Sequence, residues 1–137
     1  MFILNVVTPE KRLVMHQEID EVTVPGFRGE LNILPGHAPL MTTLETGPLR
    51  WKVKGQAEQS AVISWGYCEV GPNGVEILAD LAELPEEIDS AATHKALEGA
   101  EKRLLNETLD DDSWKAVQRE IALHHAELEI LKAKKTQ

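Results

Sequence analysis

The amino-acid sequence predicts a β plus α fold, in which an antiparallel β-sandwich or barrel precedes an antiparallel two-helix hairpin. Two observations carry this prediction. Up to residue 84, short apolar runs alternate with turn-forming Pro and Gly residues, a pattern typical of antiparallel sheets. Beyond Pro85 no proline occurs, and apolar residues recur every three or four positions, as in amphipathic helices. We therefore expect a β-sandwich domain at residues 1–84 and a helical hairpin at residues 85–137.

Turn signals divide the first part of the chain into eight predicted strands. Pro25-Gly26, Pro35-Gly36 and Gly47-Pro48 fall between short apolar runs and favour chain reversal. Asn73-Gly74 suits a tight hairpin turn, because both residues tolerate a positive φ. The predicted strands span residues 2–8, 12–24, 30–34, 39–44, 48–54, 57–64, 66–70 and 74–79.

The second part of the chain predicts two helices joined by a short connection. The first, at residues 87–105, has an apolar face made largely of alanine. The second, at residues 113–133, follows the acidic segment Asp110–Ser113, whose side chains suit a helix N-cap. An alanine face buries little area and so contributes little stability. Two interpretations stay open: a hairpin that can detach or extend, and a hairpin fixed on the sandwich.

Composition limits the kinds of partner that the protein can bind and indicates its cellular compartment. The net charge is −9 and no basic stripe is present, so we expect no nucleic-acid partner. No apolar run is long enough to cross a membrane, which predicts no direct membrane insertion. The first residues lack the pattern of a signal peptide, and the single cysteine, Cys68, suits a reducing compartment. These features predict a cytosolic protein.

No residue pattern in the sequence predicts catalytic residues, a metal site or a cofactor. His16, His37 and His94 are far apart, and the adjacent His124 and His125 point about 100° apart on a helix. The sequence contains neither the Gly-x-Ser-x-Gly segment of hydrolases nor a phosphate-binding Gly-Lys-Ser/Thr loop. We therefore expect a protein that works by binding other proteins, and a small hydrolase is the disfavoured alternative.

The segment 29–40, Gly-Glu-Leu-Asn-Ile-Leu-Pro-Gly-His-Ala-Pro-Leu, is the most distinctive part of the sequence. His37 lies between Pro35-Gly36 and Ala38-Pro39, and the prolines restrict the backbone on both sides. A rigid loop loses little entropy on binding, so this imidazole suits a docking contact. An ordinary turn histidine, bonded to nearby backbone, is an equal alternative.

Several segments resemble the epsilon subunit of rotary F-type ATP synthases, and together they cover nearly the whole chain. The most specific is Pro-Gly-His-Ala-Pro at residues 35–39, within the segment 29–40. The other matching segments are Val6–Glu10, Leu44–Arg50, Gly66–Val70 and Val75–Asp80. The resemblance implies a β-sandwich followed by a helical hairpin, which the periodicity predicts independently.

The resemblance implies a non-catalytic central-stalk subunit that couples the proton-driven ring of c subunits to γ and to ATP synthesis. It implies an interface with γ and the c-ring at Gly29, Glu30, Leu31, His37, Ala38, Pro39 and Leu40. It also implies that the hairpin inhibits ATP hydrolysis through transient contacts with the α and β subunits. The basic candidates for contacts with β are Arg103, Lys115 and Arg119. The implied location is peripheral, on the cytoplasmic face of the bacterial plasma membrane.

Some members of the family that the chain resembles bind ATP on the hairpin, through an Ile/Leu-Asp-x-x-Arg-Ala motif. The corresponding segment here is Ile88–Thr93, in which Asp89 is kept but the arginine position holds Ala92. The charge and fork geometry of arginine are what a triphosphate would use. We therefore expect no nucleotide binding.

A free-standing β-sandwich adaptor with a helical partner-binding tail is the alternative to a stalk subunit. The two would share a fold and differ in their partners. Co-purification with γ would distinguish the stalk subunit from the adaptor. Catalytic turnover by the isolated chain would support the hydrolase hypothesis.

Overall fold

The computed structural model describes residues 2–135, which fold into a β-sandwich followed by a helical hairpin. The strands are β1 (Ile3–Val7), β2 (Arg12–Glu18), β3 (Glu21–Gly26), β4 (Gly29–Ile33), β5 (Leu40–Leu44), β6 (Gly47–Lys52), β7 (Gln59–Gly71) and β8 (Gly74–Glu83). The 3-10 turn Pro85–Glu87 leads into the helices α1 (Ser90–Asn106) and α2 (Asp111–Lys135). The predicted fold class is confirmed, although residues 136 and 137 of the predicted hairpin segment lie outside the described residues.

Strands β7 and β8 run through both layers of the sandwich. They pair antiparallel from Val62 opposite Glu83 to Gly71 opposite Gly74. On its other side, β7 pairs with β6 in its first half and with β5 in its second half. One layer therefore contains β2, β1, β8, β7 and β5, and the other contains β8, β7, β6, β3 and β4. The core between the layers includes the fully buried side chains of Leu4, Val24, Leu49, Ile63 and Ile77.

Gly66 lies where β7 passes from one layer to the other. A Cβ atom at this position would collide with the carbonyl oxygen of Leu78 and would lie 2.8 Å from the Cα of Ala79. The β7–β8 register nevertheless continues without interruption, from Ser64 opposite Leu81 to Tyr67 opposite Leu78. Glycine therefore lets the two backbones approach closely while the ladder stays intact.

Several predicted strand boundaries were wrong. The predicted strand 12–24 is two strands, β2 and β3, because the chain turns at Ile19, whose N–H bonds to the carbonyl of Phe2. The predicted strands 57–64 and 66–70 form the single strand β7, since the glycine between them is part of the ladder. Strand β8 continues to Glu83, beyond the predicted end at residue 79.

The hairpin rests on the sandwich mainly through α2. Helix α2 packs against β6, β7 and the 3-10 turn, whereas α1 packs against α2. The apolar part of this interface is a small cluster of Val62, Ala126 and Ile130, bordered by Ile88 and Leu123. Because apolar stabilisation scales with buried area, we expect docking of the hairpin to be much weaker than cohesion of the sandwich core.

The faces of the two helices differ in part from the predicted faces. In α1 the buried residues are Thr93, Leu97 and Ala100, and Ala92 of the predicted alanine face is exposed. The predicted N-cap of the second helix is confirmed, because Asp110 accepts a hydrogen bond from the N–H of Ser113 at 2.7 Å. That hydrogen bond also lowers the pKa of the Asp110 carboxyl.

The substitution Gly66→Ala tests the close approach of β7 and β8. We expect it to destabilise the sandwich by about 3 kcal/mol, because the added methyl group must push two backbones apart. Urea unfolding, followed by tryptophan fluorescence, to which the buried Trp51 contributes, measures the change. The control is Gly99→Ala on α1, where an added Cβ meets nothing within 4 Å and stability should not fall. Equal midpoints for the two variants would contradict this account of Gly66.

Candidate interaction surfaces

Residues 34–37 form a hydrogen-bonded β-turn that fixes the position of His37. The N–H of His37 donates to the carbonyl of Leu34 at 3.0 Å, and Gly36 has a φ of 87°. Proline followed by glycine is the favoured pair for such a type II turn. The Nδ1 atom of His37 lies 2.7 Å from the carbonyl oxygen of Ala38. The ring is thus bonded to its own loop, and the loop that holds it is largely exposed.

The β3–β4 turn forms a second exposed projection. Gly26 pairs with Gly29, which leaves Phe27 and Arg28 as the two residues of the turn. Both are exposed, and the guanidinium of Arg28 lies 5.2 Å from the centroid of the Phe27 ring. Gly29 belongs to the interface predicted from the sequence, whereas Phe27, which extends the apolar surface at this turn, was not predicted.

The structure separates the two groups of predicted interface residues. Gly29 lies beside Gly26, which also pairs with Leu44 at the end of β5. Leu40 lies at the start of β5, opposite Val70. Residues 29–31 and residues 37–40 are therefore at opposite ends of β5, roughly 13 Å apart at about 3.3 Å per residue. A single small contact cannot cover both groups.

Arg50 on β6 links the predicted interface to the hairpin. One guanidinium nitrogen lies 3.0 Å from a carboxylate oxygen of Glu30, at the start of β4. Another lies 3.0 Å from a carboxylate oxygen of Glu129, on α2. One arginine thus bridges the edge of the sandwich and the docked helix.

An apolar face, formed by Trp65, Tyr67 and Leu78, is exposed on the outer side of the layer that contains β1, β8, β7 and β5. Tyr67 lies opposite Leu78 and Thr43, and Leu78 lies opposite Val7. Tyr67 and Leu78 are 57% and 56% exposed. Together with Val7, the three residues line a shallow depression. Exposed apolar surface of this kind is typical of protein interfaces. The alternating sequence pattern does not show which sheet face is left uncovered.

The predicted basic residues of the hairpin are engaged in different ways. The guanidinium of Arg119 lies 5.4 Å from the centroid of the Trp65 ring, a cation–π distance. Arg103 lies 3.7 Å from the carboxylates of Glu107 and Glu120. Lys115 is exposed and forms no ion pair with any residue that the structure describes.

Asp89 caps helix α1. Its carboxylate accepts a hydrogen bond from the N–H of Ala92 at 3.0 Å. The aspartate kept from the nucleotide motif therefore has a structural role here, and the position that would hold the motif's arginine carries only a methyl group. No basic side chain replaces that arginine at position 92.

A carboxyl cluster lies where α2 meets the end of β8. Burial, and after it the neighbouring carboxyl group of Glu127 on α2, raise the pKa of Glu83 on β8 to about 7. Glu127 is buried, and one of its oxygens lies 2.7 Å from the Nδ1 of His124. No sequence pattern predicts this cluster, because its two carboxyl groups are far apart in the chain.

The described residues contain neither a metal site nor a membrane-spanning helix. Within residues 2–135, no group of three or more His, Cys, Asp or Glu side chains is placed to hold a metal ion. No helix in that range is long and apolar enough to cross a membrane. Cys68 is fully buried in the sandwich core, and burial raises the pKa of its thiol to about 11.

An exposed apolar face on a closed sandwich and a lightly docked hairpin define a protein that works by binding other proteins. Residues 1–85 match the family model described as the ATP synthase, Delta/Epsilon chain, beta-sandwich domain. An ATP synthase epsilon chain of Bdellovibrio bacteriovorus is 59% identical over 127 residues, covering 92% of this chain and 91% of the relative. One of Carboxydothermus hydrogenoformans is 49% identical over 105 residues, 77% of each chain.

The chain belongs to the ATP synthase epsilon chain family. The resemblance seen in the sequence is confirmed, and so is the function of a non-catalytic subunit of the ATP synthase. Membership of this family favours the hypothesis of a stalk subunit over those of a free-standing adaptor and a hydrolase. As an ATP synthase subunit, it is part of a membrane-associated complex.

Solved structures agree on the fold. A chain in the Euglena gracilis mitochondrial ATP synthase, determined with OSCP, F1 and the c-ring, superposes with a TM-score of 0.83. That chain is 24% identical, and the match covers 95% of this chain and 81% of the Euglena chain.

Substitution of Asp89 tests whether this residue acts as a helix cap. Asp89→Ala should destabilise the first turn of α1 by about 1 kcal/mol, whereas Asp89→Asn should retain most of the stability. Amide hydrogen exchange of α1 measures both effects. Millimolar MgATP should leave that exchange unchanged, and protection of α1 by MgATP would contradict the assignment of Asp89 as a cap alone.

Proposed function

We propose that this subunit holds γ to the c-ring at the foot of the central stalk, on the cytoplasmic face of a bacterial plasma membrane. The observation that carries the proposal is the exposed apolar face of Trp65, Tyr67 and Leu78. In the other layer α2 packs against β6 and the adjoining part of β7, whereas Tyr67 and Leu78 remain open to a large partner.

The open face suits γ, the partner that must stay attached while the stalk turns. A permanent interface gains from apolar burial, and each large side chain buried there adds roughly 1.5–3 kcal/mol. The loop His37–Leu40 leads into β5 of the same layer and extends the surface at one end. We assign this loop to contacts with γ and the c-ring.

The second group of predicted residues, Gly29, Glu30 and Leu31, lies at the opposite end of β5 and extends the contact there. The neighbouring turn adds the exposed ring of Phe27. Two separated projections with an apolar face between them can resist tilting better than one. This geometry supports a subunit that transmits torque between γ and the ring.

We also propose that the hairpin inhibits ATP hydrolysis when it leaves the sandwich and reaches the α and β subunits. In the docked form, Arg119 lies over Trp65 and Arg103 lies near Glu120, so both cations are occupied. Release would make them available, together with Lys115, to an acidic stretch of β. The docked and released forms are two populations, and a partner shifts them only as far as it prefers one.

Removal of the residues beyond Leu84 tests the separation of coupling from inhibition. The shortened chain should fold and bind γ, because the core of the sandwich lies within residues 2–84. ATP hydrolysis by assembled F1 should be faster with the shortened chain than with the full chain. Equal rates, with the shortened chain still bound, would contradict the inhibitory role of the hairpin. Failure of the shortened chain to fold would contradict an independent sandwich.

Substitutions on the apolar face test its assignment to γ. Tyr67→Ser with Leu78→Ser should weaken binding to γ at least tenfold, because two large side chains lose their burial. Titration calorimetry with purified γ measures the affinity. Leu105→Ser is the matched control, since Leu105 is 82% exposed on α1. Unchanged affinity of the double variant would place γ elsewhere on the sandwich.

A further inference from the structure

Trp65 belongs to two surfaces of the protein at once. Its side chain is 47% exposed and lies next to Gly66, where β7 passes from one layer to the other. On the β8 side it lines the shallow depression that also contains Val7 and Leu78. On the β5 side it lines a second depression, whose walls include residues of β5 and Arg119 of α2. The indole therefore stands between the apolar face and the docked hairpin.

Arg119 is attached to the sandwich through this indole. Its guanidinium lies 5.4 Å from the centroid of the Trp65 ring. Within residues 2–135 it forms no ion pair with a carboxylate, unlike Arg50 and Arg103. The apolar cluster around Ile130 lies in the second half of α2. The contact between Arg119 and Trp65 thus ties the first half of the helix to the sandwich.

The layout lets an apolar partner and Arg119 contact Trp65 together. Arg119 does not line the depression on the β8 side, so a partner seated on Tyr67 and Leu78 does not have to displace it. Such a partner removes water from the indole and restricts its rotation. A cation–π contact strengthens when it is desolvated, and a side chain that is already fixed loses little further entropy in a second contact. Both effects favour the docked hairpin.

We propose that Trp65 couples the binding of γ to the docking of the hairpin, so that γ on the apolar face helps to hold α2 in place through Arg119. The proposal rests on the assignment of that face to γ. Coupling between two binding equilibria is reciprocal, so the docked hairpin raises the affinity for γ by the same factor. The difference between an exposed and a desolvated cation–π contact corresponds to about fivefold in that affinity.

The sign of the coupling has a consequence for the released hairpin. When α2 leaves the sandwich, the indole loses its cation and the subunit holds γ less tightly. A surface that captures the released hairpin has to compensate for this loss as well as for the lost docking contacts. Attachment to γ and release of the hairpin therefore oppose each other.

Titration calorimetry with purified γ and the full-length chain measures the coupling. Arg119→Gln should lower the affinity for γ about fivefold, because glutamine keeps a polar side chain but removes the cation from the indole. Lys115→Gln is the matched control. Lys115 is exposed one turn earlier on the same helix, and its substitution removes the same charge, so the affinity should not change.

A double-mutant cycle separates coupling through Trp65 from a direct contact between Arg119 and γ. Trp65→Leu retains apolar surface but removes the ring on which the cation rests. In that background Arg119→Gln should leave the affinity for γ unchanged. A fivefold loss that persists without the indole would assign Arg119 to γ itself and would overturn the proposal.

Amide hydrogen exchange of α2, with and without saturating γ, tests the reciprocal effect in the full-length chain. In the unmodified chain γ should slow exchange around the buried Val117, because it favours the docked hairpin. In the Arg119→Gln variant that protection should be smaller. Faster exchange in the presence of γ would show that γ displaces the hairpin, which contradicts the proposed sign.

The pattern of affinities distinguishes failure of the coupling from failure of the γ assignment. If Tyr67→Ser with Leu78→Ser weakens binding but Arg119→Gln does not, the apolar face binds γ and the coupling is wrong. If neither change alters the affinity, γ binds elsewhere and both proposals are overturned.

Discussion

At Gly66, strands β7 and β8 lie too close together to admit a side chain, and the two working surfaces of the sandwich lie on either side of this point. On one side of Gly66, Tyr67 and Leu78 are opposite each other and point outward into solvent. On the other side, Val62 and Glu83 are opposite each other and point towards α2. One continuous ladder therefore presents an open apolar face at one end and, at the other, the surface on which the hairpin docks. A break in the ladder would uncouple the two.

The seat of the hairpin, the surface of the sandwich that α2 packs against, is small. Val62 is fully buried beneath Ala126 and Ile130, and Glu127, next to Ala126 on α2, is buried as well. A purely apolar seat of larger area would hold the hairpin permanently. A small seat suits the proposed equilibrium between docked and released forms, which a partner can shift. The sandwich core shares few residues with this seat, so its stability need not change with the state of the hairpin.

The sequence predicts the two-part fold, the turn before His37 and the cap at Asp110, because each depends on local residue pattern. It misplaces the boundary near Gly66, since glycine within a strand cannot be distinguished from a turn until the neighbouring strand is known. It also misses the turn at Ile19, because no Gly or Pro marks that turn. The exposed apolar face cannot be predicted for a related reason: the alternation of Tyr67 with Cys68 shows two faces but not which one a helix covers. The influence of Glu127 on Glu83 joins two distant segments and has no local signal.

The connection between the sandwich and α1 is short, consisting of Leu84, the turn Pro85–Glu87 and two further residues before Ser90. A tether of that length confines the released hairpin close to its seat, at an effective concentration in roughly the millimolar range. Rebinding is then intramolecular, so an interface too weak to hold two separate proteins can still keep the hairpin docked much of the time. A competing surface elsewhere in the complex must overcome this local concentration, and the length of the connection becomes a determinant of how readily the hairpin is captured.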